Sequence, residues 1–296
     1  MNSTATTDLF EQQRPRLLSL AYRMLGEIQA AEDVVQESWL RWSAAPPGSV
    51  VSPGPWLTQV VTRIAIDQLR SARQRREVYT GPWLPEPIIS DEDGGPGRLM
   101  ALAQECELAL LWSLERLAEE ESAAFLLHQV FETSYADIAR TLDKSEQACR
   151  QLVSRARQRV QDASPRFDTT REQLEKTLLA FAAAAASGDR EEVLRLLAPD
   201  VLALSDGGGL VSAARIPLHG PERVAQVYTH IASKRSAVDE LKLLRVNGQP
   251  ALVRLAGDDG DMIFTVRVNQ HGQICWLYTL RNPRKLAVVK ALRQPH

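Results

Sequence analysis

The stretch "SYADIARTLDKSEQACRQLVSRARQRV", Ser134 to Val160, contains two helical patterns separated by two residues. In "SYADIARTL" the apolar positions recur at helical spacing, "DK" interrupts them, and "SEQACRQLVSRARQRV" resumes with Ser145 as N-cap and Glu146 in the first turn. A turn this short between two helices predicts a helix-turn-helix. The second helix carries Arg150, Arg155, Arg157 and Arg159 against a single acid, Glu146. A helix entering the major groove reaches base edges with its N-terminal polar side chains and phosphates with its flanking arginines. That assigns DNA contacts to Ser145, Gln147, Arg150, Gln151, Ser154, Arg155 and Arg157. A lone basic helix is more often a solvated surface face; the preceding helix and the short turn favour recognition here.

Working outward, the chain of 296 residues is long enough for two or three domains. Its 44% apolar and 24% charged residues suit ordinary packed cores. With 35 Lys and Arg against 37 Asp and Glu, the net charge is -2, so a nucleic-acid surface has to come from local clusters of Arg. Cys106, Cys149 and Cys275 are odd in number and far apart, with no CxxC and no His pair at ligand spacing. The spacing argues against zinc and against a disulfide framework, and it fits a reducing cytoplasm. The start "MNSTATTDLFEQQ" lacks the basic and apolar regions of a signal peptide, and the apolar run at Leu178 to Ala186 is too short to span a bilayer, which takes about 20 residues. A cytoplasmic chain without a membrane span, metal or cofactor is expected.

Residues 8–77 read as all-helical. "LLSLAYRMLG" ends at a C-cap glycine, Gly26; "QAAEDVVQESWLRW" is a second helix; "SAAPPGSVVSPGP" breaks the pattern through its prolines; and helix resumes from Trp56 through "WLTQVVTRIAIDQLRSARQRR". The last helix is basic, with Arg63, Arg70, Arg73, Arg75 and Arg76, and Trp56 stands at its start beside the Pro/Gly loop. An aromatic and a flexible loop beside cations suit capture of unstacked bases, while core packing is an equal reading for Trp56. The acidic helix cannot share a role with DNA. Its Glu32, Asp33, Gln36 and Glu37 suit a basic protein partner, although a solvated face is the usual reading of such residues. A linker occupies 78–103, helical periodicity returns over 104–162, and an α+β pattern fills 167–290: two helices, a later third, and strand-like runs in an antiparallel meander with "NGQP", "GDDGD" and "NQHGQ" as turns.

"AEDVVQESWLRW" followed by "PWLTQVVTRIAIDQLRSARQRR" resembles region 2 of the bacterial extracytoplasmic-function sigma factors, and "LERLAEEESAAFLLHQVFETSYADIARTLDKSEQACRQLVSRARQRV" resembles their region 4. By that resemblance, the helix of Asp33, Gln36 and Glu37 docks on the clamp helices of the RNA polymerase core. Residues from the 43–55 loop to Arg76 melt and read the minus-ten element, and the helix from Ser145 reads the minus-thirty-five element.

The linker has its own signature: "GPWLPEPIIS", Gly81 to Ser90, holds bulky apolar residues and three prolines in a place that otherwise reads as a connector. "WLPEPI" resembles the interdomain motif of the subgroup (ECF group 41) with a C-terminal SnoaL-like extension of nuclear-transport-factor-2-like fold. That resemblance also implies a "DGGGK"-type loop and a terminal "NPxKL" motif, which here read "DGGGLV" and "NPRKL"; Leu210 stands where the subgroup has a basic residue. Trp83, Leu84, Pro85, Glu86 and Pro87, with Asp206, Gly207, Gly208 and Gly209 and with Asn282, Pro283, Lys285 and Leu286, are therefore expected to fasten the extension across the sigma domains. The prolines lower the entropic cost of an extended segment, and glycine backbones permit close approach. An isolated triple glycine is otherwise simply a turn. A fused extension acts at an effective concentration on the order of millimolar, enough to replace a separate anti-sigma factor.

Two other functions stay open at this stage. The extension could sense a small ligand in its conical pocket, making the chain a one-component DNA-binding regulator. It could also be catalytic through Asp206, His219, Tyr228 or His230, but no spacing among them specifies a pair, so a non-enzyme is expected.

Overall fold

The computed structural model describes residues 3–46, 49–76, 79–90, 108–163, 169–233, 240–255 and 260–291. The chain forms two compact units, one of Met1–Glu77 with Cys106–Pro165 and one of Val78–Glu105 with Arg166–His296. The described part of the linker, residues 79–90, thus belongs with the C-terminal unit.

The first unit is helical among its described residues. Helix α1 (Ser3–Leu25) ends at Gly26, whose φ of 68° is the left-handed C-cap, and α2 (Ile28–Ser43) follows directly. Helix α3 (Pro53–Arg76) starts earlier than the sequence reading, because Pro53 and Pro55 occupy a first turn that needs no N–H donors. Phe10, Leu17, Leu20, Tyr22, Val34, Leu57, Val61 and Leu69 are buried, so one apolar stripe from each helix makes this core. Helices α4 (Leu108–Glu115), α5 (Glu119–Gln129), α6 (Tyr135–Leu142) and α7 (Glu146–Ala163) complete the unit. Asp143, at φ 55°, ends α6 in the left-handed conformation, and the Ser145 hydroxyl accepts the Ala148 N–H (3.2 Å) to start α7. Both halves of the helix-turn-helix are where the sequence put them.

The second unit contains α8 (Arg171–Ser187), α9 (Arg190–Leu196), α10 (Pro221–Ser233) and a sheet. Its strands are β1 (Ile89–Ser90), β2 (Leu197–Asp206), β3 (Leu218–His219), β4 (Glu240–Val246), β5 (Gln249–Leu255), β6 (Met262–Val268) and β7 (Ile274–Leu280), and a short α11 (Ala287–Ala291) follows. The order is β1-β4-β5-β6-β7-β2-β3. It departs from the expected antiparallel meander at one place: β2 runs parallel to β7, because α10 and the meander β4–β7 intervene between them. Strands β1 and β3, two residues each, are too short for any periodicity to predict. One sheet face, with Val201, Ala203, Phe264, Val266 and Leu277, packs on Leu178, Phe181, Val224 and Tyr228 of the helices. Alternation then aims Leu204 and Asp206 at the opposite face. Helices on one face of a mixed sheet are the α+β arrangement that the SnoaL-like resemblance implies.

Candidate nucleic-acid interface and the seat of the linker

In α7, Cys149, Val153 and Ala156 are buried, at spacings of four and three. The opposite face presents Ser145, Gln147, Arg150, Gln151, Ser154, Arg155 and Arg157 to solvent. All seven predicted contacts lie outside the core. Arg150 is held by Glu146 (2.8 Å) and lies over the Tyr135 ring, 4.9 Å from its centroid, so a residue of α6 orients it. Arg159, also exposed, has an acidic partner on another helix. It pairs at 2.6 Å with Glu121, whose side chain is 6% exposed, and ties α7 to α5.

The predicted protein-docking residues share the outer face of α2. Glu32, Asp33 and Gln36 are exposed and Glu37 half-buried, with Asp33 accepting from Gln29 and Glu37 from Arg41. Beside them a groove of about 430 Å³ between α1 and α2 is lined by Phe10, Glu32, Val35, Gln36 and Trp39.

Trp56 is half-buried, tilted against Trp42 at 5.7 Å between centroids, so it packs on α2 while keeping one edge exposed. Arg63 donates through Nε to the Thr141 carbonyl and through Nη2 to that of Arg140, both at 3.0 Å, and Gln59 donates to the Arg140 carbonyl at 3.1 Å. Arg70 meets Glu120 at 3.4 Å. The side chains of Arg73, Arg75 and Arg76, on the last turn of α3, lie outside the described residues.

In the second unit the linker is seated on the sheet. Asp206 is fully buried at the end of β2. Its Oδ2 accepts from the Leu84 N–H (2.9 Å) and from Lys285 Nζ (2.7 Å), and Nζ also donates to the Leu84 carbonyl (2.5 Å). Oδ1 accepts from the Tyr79 hydroxyl and the Gly208 N–H, and Asn282 Nδ2 donates to the same hydroxyl at 2.7 Å. An acid and an amine thus clamp both backbone polar groups of one linker residue, satisfying two buried charges and one peptide at once. The Trp83 ring lies 4.0 Å from Lys285 Nζ, a cation–π contact on the ammonium.

Leu84 and Ile88 are 3% and 2% exposed, and Pro85 and Pro87 are buried, whereas Trp83 and Glu86 are half-buried. Burying a Leu or Ile side chain contributes about 2 kcal/mol. Ile88 adds a two-way pair with Asn247, N–H to Oδ1 at 3.1 Å and carbonyl from N–H at 2.8 Å, which leads into the β1–β4 ladder. Sequence reasoning missed Tyr79 and Asn247; the Asn-Gly turn at 247–248 was read only as a turn. The glycines have distinct reasons. A Cβ on Gly208, at φ 63°, would stand 2.5 Å from Asn282 Nδ2, and one on Gly207 would stand 2.6 Å from the Val211 carbonyl. A Cβ on Gly209 would stand 3.1 Å from Thr80. Pro283 sets the turn that brings Lys285 back, and Leu286 is 1% exposed. Leu210, by contrast, is 52% exposed.

The four polar residues weighed for catalysis are not brought together. Asp206 is aimed at the linker face, His219 is exposed on β3, and His230 is exposed near the end of α10. Tyr228 lies in the core, bonded to Thr279 at 2.7 Å, where burial pushes its phenol up to about 12. Phe181, Tyr228 and Phe264 touch one another at 5.5–5.6 Å between centroids and fill the space between helices and sheet.

Comparison with known proteins agrees with this geometry. Residues 9–76 match the family model for Sigma-70 region 2 and residues 108–160 that for Sigma-70, region 4. The chain is 36% identical to the ECF RNA polymerase sigma factor SigJ of Mycobacterium tuberculosis, over 93% of this chain and 91% of that one. It is 30% identical to the probable ECF RNA polymerase sigma factor SigI of the same species, over 94% and 93%. Among solved structures, the crystal structure of the M. tuberculosis extracytoplasmic function sigma factor SigJ superposes with a TM-score of 0.77 at 33% identity, covering 95% of this chain and 98% of that one.

Proposed function

The chain belongs to the extracytoplasmic-function RNA polymerase sigma factors, and from that premise we propose which of its residues do the work and what its extension is for. The acidic face of α2, with Glu32, Asp33, Gln36 and Glu37, docks on a basic surface of the polymerase core. The 43–55 loop, Trp56 and the arginines of α3 take up the opened minus-ten strand, and α7 reads the minus-thirty-five duplex through Gln147, Gln151 and Ser154, with its arginines on phosphates. The observation that carries this reading is the division of α7, whose apolar stripe is buried while every polar residue assigned to DNA faces solvent.

The C-terminal unit acts as a regulator in cis. It grips the connector between the two sigma regions at Leu84, so its hold on that connector bears on how the regions are spaced when they meet a promoter. No catalytic role is assigned to the extension, because a sigma factor works by directing the polymerase to its promoter. A one-component regulator is disfavoured, because the relatives that match over nine-tenths of the chain are sigma factors. Its place of action is the cytoplasm, where polymerase and promoter are. Among the described residues no helix is long and apolar enough to cross a membrane.

In vitro transcription with purified core polymerase tests the reading, using the full chain, a chain ending at Ser164 and a chain ending at Leu280. Transcripts that require the chain, in amounts that differ among the three, are expected. DNA binding without polymerase and no transcript from any of them would replace this reading with the one-component regulator.

A further inference from the structure

A cavity of about 330 Å³ lies in the C-terminal unit where the linker meets the glycine loop. Thr80 of the linker lines it together with Ser205, Gly207, Gly209, Ser212 and Arg215, from β2 and the loop that follows. Its two walls touch: a Cβ on Gly209 would stand 3.1 Å from Thr80, and one on Gly81 would stand 3.4 Å from the Arg215 Cα. The cavity is therefore whole only while the linker is seated. Arg215 is the one charged residue in its described lining. That side chain is exposed and makes no hydrogen bond or ion pair among the described residues. A surface arginine is ordinarily only solvated; this one shares a lined cavity with hydroxyl groups. Ser205 is bonded to Tyr228, which leaves the Thr80 and Ser212 hydroxyls as donors to a guest. Arg281 holds the loop in place by donating to the Ser212 carbonyl at 2.5 Å.

We propose that this cavity binds a small phosphate monoester, with the phosphoryl group on Arg215, Thr80 and Ser212. A guanidinium fork and two hydroxyls all donate toward such a guest, and a phosphoryl group answers them with three acceptor oxygens. No acidic residue is in the described lining, so a cationic guest finds no counter-charge there. At roughly ten water volumes the cavity holds more than a phosphoryl group. Val211, Ala213 and Ala214 give the remainder an apolar wall, suited to a short carbon chain. Because Thr80 belongs to the linker and Arg215 to the loop, the guest bridges the two and binds the seated linker alone. Its binding then shifts the population toward the seated state by mass action. The site stands on the geometry of the C-terminal unit; its bearing on transcription rests on the regulatory role proposed above.

Hydrogen exchange at the Leu84 amide, which donates to Asp206, reads the seat without polymerase or DNA, so failure of the site and failure of the regulatory role are separate results. In the full chain, glycerol 3-phosphate should slow this exchange by about tenfold at ten times its dissociation constant. Glycerol at the same concentration, and NaCl at the same ionic strength, should not. Arg215→Gln should abolish the slowing while leaving exchange in the ligand-free chain unchanged, since Arg215 has no other partner among the described residues. Arg215→Lys should keep part of the slowing. Arg223→Gln, which alters an exposed arginine outside the cavity, should keep all of it. Inorganic phosphate that slows exchange as much as glycerol 3-phosphate keeps the oxyanion seat but overturns the ester as its guest. Slowing that survives Arg215→Gln, slowing matched by acetate, or no slowing in the parent at millimolar glycerol 3-phosphate overturns the site itself.

Discussion

At the scale of single residues, the C-terminal unit turns on Asp206 and Lys285. Both are buried, and each answers the other's charge while also serving a backbone group of Leu84. Lys285→Met leaves the carboxylate buried without its counter-ion, a loss on the order of 3–5 kcal/mol. For a unit of this size that corresponds to about 10 °C in the melting transition. Scanning calorimetry of the full chain should show this fall in the transition of the C-terminal unit, and Asp206→Asn combined with Lys285→Met should recover part of it; an unmoved transition would show that the pair is not integral to the fold. Tyr228 gives a pH dependence. Its phenol, raised from 10 to about 12, favours the protonated form in the folded state. Stability from this group is therefore complete below pH 10 and is lost as pH rises toward 12. Tyr228→Phe should flatten that alkaline fall in urea titrations at pH 9 to 12.

At the scale of elements, α7 and β2 show how unequally a sequence displays its structure. The apolar spacing Cys149, Val153, Ala156 and the Ser145 cap make α7 readable without coordinates, because both signals are local. Strand β2 is readable as a strand, but its parallel pairing with β7 is a relation between segments some 70 residues apart, and no local pattern encodes it. Within α7 the two classes of contact should separate in promoter-duplex binding by the holoenzyme. Gln147→Ala should cost about 1–3 kcal/mol at one base position and relax specificity there. Arg157→Ala should weaken all sequences alike and lower the salt slope by about one. Equal losses on every sequence from Gln147→Ala would demote it from base reader to phosphate contact.

At the scale of the whole molecule, what matters is that a segment lying between two sigma regions in the sequence folds as part of a third region. The amides of Leu84 and Ile88 donate to Asp206 and Asn247 and should exchange slowly in the full chain. In a chain ending at Ser164 they have no partner, and hydrogen exchange there should accelerate by orders of magnitude; equal protection in both chains would place the linker's seat on the sigma regions instead. Local periodicity and motif matches in the chain were enough for the helices, their caps, the helix-turn-helix, the order of regions and the motif residues of the linker's seat. The folded chain was needed to see that Asp206 faces the linker and not the helix-side core, that Tyr79 and Asn247 complete the seat, and that Arg63 caps a helix of the other sigma region. The physical reason is common to all three. A side chain's partner depends on which face of a strand or helix meets which neighbour, and that is settled by contacts between residues tens to hundreds of positions apart.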